Sequence, residues 1–179
     1  MNRDWKEFIE SLNRADVRYL IVGGIAVAAH GHVRYTKDLD VWVEASKENA
    51  LRIVAAIDDF GLGSLNLVPE DFEKERLIVQ LGYEPKRIDI LTKISGVTFS
   101  EAYPHAVVTE LMSVPTRVID KQRLCTNKLA SGRLQDLADV EALGAQVPEE
   151  ALVDAGRAAK AALANSVKKQ PIKKKPKSC

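Results

Sequence analysis

Asp38-Leu39-Asp40 sets two carboxylates two positions apart, in a run (Asp38-Leu39-Asp40-Val41-Trp42-Val43) whose β-branched and aromatic content suits a strand. Successive side chains of a strand point to opposite faces, so Asp38 and Asp40 share one face while Leu39 and Val41 point into a core. Two carboxylates side by side repel, and without a cation between them at least one has a raised pKa. Hard oxygen donors in such a pair suit Mg²⁺ or Mn²⁺. A third acid sits in Lys86-Arg87-Ile88-Asp89-Ile90-Leu91, another strand-like run. Burying Asp89 as an ion requires a partner. That partner is either a metal shared with Asp38 and Asp40, or Arg87, two residues away on the same face.

Upstream, Tyr19-Leu20-Ile21-Val22 is a short apolar strand leading into Gly23-Gly24 and then into the helical stretch Ile25-Ala26-Val27-Ala28-Ala29-His30. Strand, glycine pair and helix allow bare backbone to approach a phosphate near a helix N-terminus. The spacing is neither the dinucleotide fingerprint nor the P-loop, since no Gly-x-Gly-x-x-Gly and no Gly-Lys-Ser/Thr is present. Three aspartates on neighbouring strands beside such a turn suit two divalent cations facing a nucleoside triphosphate. In-line attack on the α-phosphorus would then expel pyrophosphate.

This constellation resembles the nucleotidyltransferase superfamily that includes DNA polymerase beta. The matching residues are Gly23, Gly24, Asp38, Asp40 and Asp89. The hydroxyl residue common after the first glycine in that superfamily is absent, because Gly24 and Ile25 stand there. The His30-Gly31 and Arg34-x-Thr36-x-Asp38 context looks most like the small bacterial nucleotidyltransferases of abortive-infection and toxin–antitoxin type, over roughly residues 17–143. Residues 128–139, from Lys128 through Arg133 and Asp136 to Asp139, resemble the Lys…Arg-x-x-Asp-x-x-Asp segment of those enzymes. The resemblance implies transfer of a nucleoside monophosphate from a triphosphate to an acceptor hydroxyl. It further implies that Asp38, Asp40 and Asp89 hold metal, and that Gly23, Gly24, Arg34, Thr36, Lys128, Arg133 and Asp136 handle the nucleotide. A tRNA or protein acceptor and a partner antitoxin are implied as well. An antibiotic-modifying nucleotidyltransferase is the enzymatic rival, and a non-catalytic nucleotide- or antitoxin-binding member the other.

Read without the resemblance, residues 128–139 belong to two helices, about 120–131 and 134–144, with Gly132 as C-cap. Leu134, Leu137, Ala138 and Val140 then form an apolar stripe, and Lys128, Arg133, Asp136 and Asp139 a charged face. His30 and Arg34 are further candidates for phosphate contact. His30 and His32 pair with only a distant His105, so zinc is not expected.

The elements required to position these residues are legible as alternating α/β structure. Helices are expected at 4–15, 24–30, 47–59, near 70–73 and over 148–166. Strands are expected at 18–22, 38–44, 76–81, 86–91, 106–111 and 116–118. Ser46 is the expected N-cap of the third helix, and Gly61 and Gly63 open a loop. The fold class is a mixed sheet with packed helices and a helical C-terminal part. A chain of 179 residues, 46% hydrophobic, buries a real core, and one domain over 1–166 is expected. Cys125 and Cys179 do not make a disulfide framework. The N-terminal stretch reads as an amphipathic helix built on Trp5, Phe8, Ile9 and Leu12 rather than as a leader, and no run spans a bilayer, so residence is expected to be cytoplasmic. Residues 1–167 carry 20 basic and 25 acidic side chains, a net of −5, and six lysines follow from 168 on. The segment 167–179 therefore reads as a disordered basic tail able to hold RNA phosphates non-specifically.

Overall fold

Helix α1 (Arg3–Arg14) forms where apolar residues recur at the helical period, and it buries Trp5, Phe8, Ile9 and Leu12 together. The computed structural model to which it belongs describes residues 3–74 and 77–168. Lys169 to Cys179, and Arg76 of the expected third strand, lie outside the described residues. Val167 and Lys168, assigned to the tail from sequence, are the last residues of a helix.

Among the described residues the sheet has six strands: β1 (Tyr19–Ile21), β2 (Asp38–Val43), β3 (Ile78–Leu81), β4 (Arg87–Leu91), β5 (Val107–Leu111) and β6 (Val114–Val118). Their order is β3-β4-β2-β1-β6-β5. The sheet is mixed: β2 runs parallel to β4 and β1 to β6, whereas β1–β2, β3–β4 and β5–β6 are antiparallel. The apolar alternates of β2 and β4, Leu39, Val41, Ile88 and Ile90, are buried. Their other faces carry the acids, as the period of two requires.

Helix α2 (Gly23–Ala29) follows β1 directly, and α3 (Lys47–Ile57) is capped by Ser46, whose hydroxyl accepts from the Asn49 N–H at 3.3 Å. Asn49 is itself buried, donating to the carbonyls of Arg18 and Glu44 and accepting from the Arg18 N–H. Beyond α3, residues 58–62 wind as a wide π-type turn that breaks at Gly61 (φ 93°), and 63–65 form a 3₁₀ turn, where a helix to 59 and then a plain loop are expected from sequence. Helices α4 (Pro69–Phe72) and α5 (Phe99–Ala102) are single turns. Strand β6 starts at Val114, two residues before the expected Thr116. The β5–β6 hairpin turns on Met112 and Ser113 with φ of 55° and 62°, and neither residue carries the glycine or asparagine signal of such turns.

Helices α6 (Lys121–Ser131), α7 (Leu134–Ala142) and α8 (Glu149–Lys168) make the C-terminal part helical. Asp120 caps α6, and Gly132 ends it in the left-handed conformation at φ 65°. The apolar stripe expected on α7 is corrected: Leu137 and Val140 are buried, but Leu134 and Ala138 are exposed and line a second cavity with Val147 and Leu152 beside α8. Among the described residues no helix is long and apolar enough to cross a membrane.

Candidate active site

The alternation of β2 begins before the strand does. From 31 to 40, residues 32, 34, 36, 38 and 40 are half-buried while 31, 33, 35 and 37 are exposed. Extended backbone thus turns Arg34, Thr36, Asp38 and Asp40 to one side, where all four line a cavity of about 510 Å³. The parallel register of β2 and β4 sets Asp40 directly opposite Asp89, and Asp38 opposite Arg87. Three carboxylates and one guanidinium therefore occupy the four corners of a small square on the sheet face.

Asp38 is gripped from two sides. The Thr36 hydroxyl donates to its Oδ1 at 3.0 Å, and Arg87 Nη2 donates to its Oδ2 at 2.8 Å. Asp89, 7% exposed, accepts from Arg87 Nε at 2.8 Å and Nη2 at 3.0 Å, and more distantly from Gln80 Nε2 at 3.4 Å. Asp40 differs: among the described residues no donor is hydrogen-bonded to its carboxylate. Burial, and then the charges of Asp38 and Asp89, push its pKa up to about 6.

The glycine pair is set by contact with these side chains. Gly23 has φ of 62°, and a Cβ there would collide with the Asp40 carboxylate. A Cβ at Gly24 would lie 2.8 Å from the Thr36 hydroxyl and 3.2 Å from Arg34 Nη2. Backbone here is pressed against the acidic face, which a side chain would prevent.

Helices α6 and α7 supply the basic part of the cavity. Lys128, only 3% exposed, donates to Asp136 at 2.9 Å and to Asp139 at 2.7 Å. Arg34 reaches the same Asp139 with a two-pronged contact, Nε at 2.8 Å and Nη2 at 3.0 Å, and Gln135 adds a fourth donor at 3.2 Å. Burial alone would raise the Asp139 carboxyl, yet its bonds to Lys128 and Arg34 hold it below the usual value. Lys128 and Asp139 are therefore not a solvated charged face, as the helix pattern alone suggests; Arg133, with 81% of its side chain exposed, is. Asp136 is mostly covered; among the described residues its Oδ2 accepts no hydrogen bond, although Arg133 Nε lies 3.4 Å from it.

The ten residues to which the resemblance assigns metal or nucleotide line the same cavity: Gly23, Gly24, Arg34, Thr36, Asp38, Asp40, Asp89, Lys128, Arg133 and Asp136. His30 does not. Its Nε2 donates to the Ile119 carbonyl at 2.7 Å, pinning the end of α2 to the segment before α6. Sequence reasoning passed over Gln80, Ser95 and Asn127, which line the cavity beside an apolar strip of Ile78, Leu91 and Ile94. Only the outward register of Gln80 on β3, two residues after Ile78, hints at this lining.

The donor chemistry suits a hard divalent cation. Three carboxylates face one space, and Asp40 lacks a donor that a cation would replace. In their present positions the side chains do not form a cage: among the described residues no three His, Cys, Asp or Glu groups are gathered to hold a metal. The Arg87 guanidinium lies between Asp38 and Asp89 instead. Compared with protein families and with curated proteins, the chain matches none.

Proposed function

We propose that this protein is a nucleotidyltransferase, moving a nucleoside monophosphate from a triphosphate to an acceptor hydroxyl with Mg²⁺ or Mn²⁺ as cofactor. The reading rests on one observation above others: Asp38, Asp40 and Asp89 open from paired strands onto the same cavity as Arg34, Lys128 and Arg133. Acids to hold cations and bases to hold phosphates are the two requirements of phosphoryl chemistry, and neither suffices alone.

Asp38, Asp40 and Asp89 would hold the metal, which supplies charge stabilisation at the phosphorus and the leaving pyrophosphate. The chain's own residues do the rest. Gly23 and Gly24 bring backbone close to the acidic face, where N–H groups would orient the triphosphate. Thr36 fixes the Asp38 carboxylate in one rotamer. Lys128 and Arg34 would neutralise phosphate charge, held in place by Asp139. With the cation bound, Asp89 would also help to take the proton from the acceptor hydroxyl.

The resemblance points to tRNA or a protein as acceptor and to a toxin-type role. The purified protein, given each labelled nucleoside triphosphate with Mg²⁺ and a cell extract, is expected to yield labelled RNA or protein. That label must vanish with Asp38→Asn and Asp40→Asn. A labelled small molecule would make it an antibiotic-type enzyme, and no Asp38-dependent label from any of the triphosphates would sink the reaction. A non-catalytic nucleotide- or antitoxin-binding role has one observation in its favour, the neutralisation of two of the three acids by Arg87. Tight Mg²⁺–nucleotide binding without turnover is its signature.

A further inference from the structure

Arg87 occupies carboxylate oxygens of Asp38 and Asp89 that a shared cation would draw on. Its position follows from strand geometry: it lies two residues before Asp89 on β4, hence on the same face, and opposite Asp38 on β2. Nε and Nη2 clasp both oxygens of Asp89 at 2.8 and 3.0 Å, and Nη2 also reaches Asp38 Oδ2 at 2.8 Å. A guanidinium on these oxygens takes up their lone pairs and repels a second cation, so it opposes a metal there. A second partner is already within reach: Arg87 Nη1 lies 3.5 Å from Glu84 Oε1, on the turn before β4. Glu84 is itself held by Lys37 at 2.9 Å.

We propose that Arg87 is a built-in counter-cation that competes with divalent metal for Asp38 and Asp89 and leaves them by shifting to Glu84. The inference rests on the reading of the acid trio as a metal site, but not on any reaction there. Three charged hydrogen bonds must be given up before a metal can bind, so a bare cation binds weakly. A metal arriving with a polyanion such as a triphosphate brings Arg87 a further partner in the same cavity. The site thereby favours the metal–nucleotide complex over the free ion, through coupling between the two ligands.

Binding of Mn²⁺ alone to the full chain, followed by electron paramagnetic resonance of the free ion, tests this without any turnover. Arg87→Met and Arg87→Gln are expected to tighten bare Mn²⁺ binding by about ten-fold or more, since three charge-assisted bonds no longer oppose it. Adding Asp40→Asn must erase the gain, which ties it to this site. Arg87→Lys, a point charge without the fork, gives an intermediate value and serves if the neutral variants fail to fold. Glu84→Gln removes the alternative partner and weakens Mn²⁺ binding. Unchanged or weaker binding in folded Arg87 variants overturns the competition; an unchanged value in Glu84→Gln overturns the exchange. A gain in Mn²⁺ affinity without any nucleotide transfer would leave Arg87 its role and remove the reaction. Transfer with no gain would do the reverse.

Discussion

Asp40 is under an electrostatic load that its neighbours shed. Asp38 and Asp89 share the Arg87 guanidinium, while Asp40 faces both of their charges from a covered position. Its carboxyl is pushed up to about 6 in the folded chain, from 3.8 for a free aspartate. Between those values the folded state holds more protons than the unfolded one. Its contribution to stability is therefore complete below about pH 4 and is lost as pH rises through 6. Asp40→Asn removes the penalty, so in chelator-treated samples at pH 7.5 the variant should be more stable than the parent by roughly 3 kcal/mol. Urea denaturation at pH 4 should show most of that advantage gone. An equal advantage at both values would mean that ionisation of Asp40 is not strained. The strain itself was legible from the Asp-x-Asp spacing. The division of Arg87 between two acids was not, because Asp38 meets Arg87 only through a parallel register set by the long crossover between β2 and β4.

Single elements place these residues, and one carboxylate fastens three of them. Asp139 of α7 is 1% exposed and receives Arg34 from the segment before β2, Lys128 from α6 and Gln135 from its own helix. Asp139→Asn strips the charge from under two cations, one of them buried. It should cost roughly 3 kcal/mol, the scale of breaking a buried ion pair, and loosen Arg34 and Lys128. Comparing unfolding free energies of Asp139→Asn and the exposed control Asp154→Asn decides it: a similar small loss in both would show that the knot carries little. Gly132 and the spacing of apolar residues made both helices readable, and the sequence also paired Lys128 with this stretch by resemblance. The inward turn of Asp139 stayed hidden for a physical reason. A buried acid breaks the apolar pattern of its own helix, and its justification lies 105 residues away at Arg34.

The whole molecule divides its site between a sheet and a helical cap. Alternating apolar runs and turn residues made the mixed α/β class and nearly all the element positions legible. The strand order β3-β4-β2-β1-β6-β5 depends on long-range pairing that no local pattern encodes. If the cavity takes a nucleotide with metal, that ligand ties the two parts together and stabilises the native state in proportion to its occupancy. At about 100 times its dissociation constant the gain is about 2.7 kcal/mol. For a chain of this size that raises the melting temperature by roughly 5–10 °C. A thermal scan with Mg²⁺ and a non-hydrolysable triphosphate should show the rise in the parent and not in Asp38→Asn. No shift with any nucleotide would exclude the cavity as a nucleotide site. The Asp139 contacts also have a temporal meaning. Strands β2 and β4, with all three acids, leave the ribosome well before residue 139, and a domain folds as a unit once enough of it has emerged. Until α7 arrives, Arg34 lacks its anchor and the basic wall is incomplete, so a nascent chain carries its acids before the cations of α6 and the segment ahead of β2 are fastened opposite them.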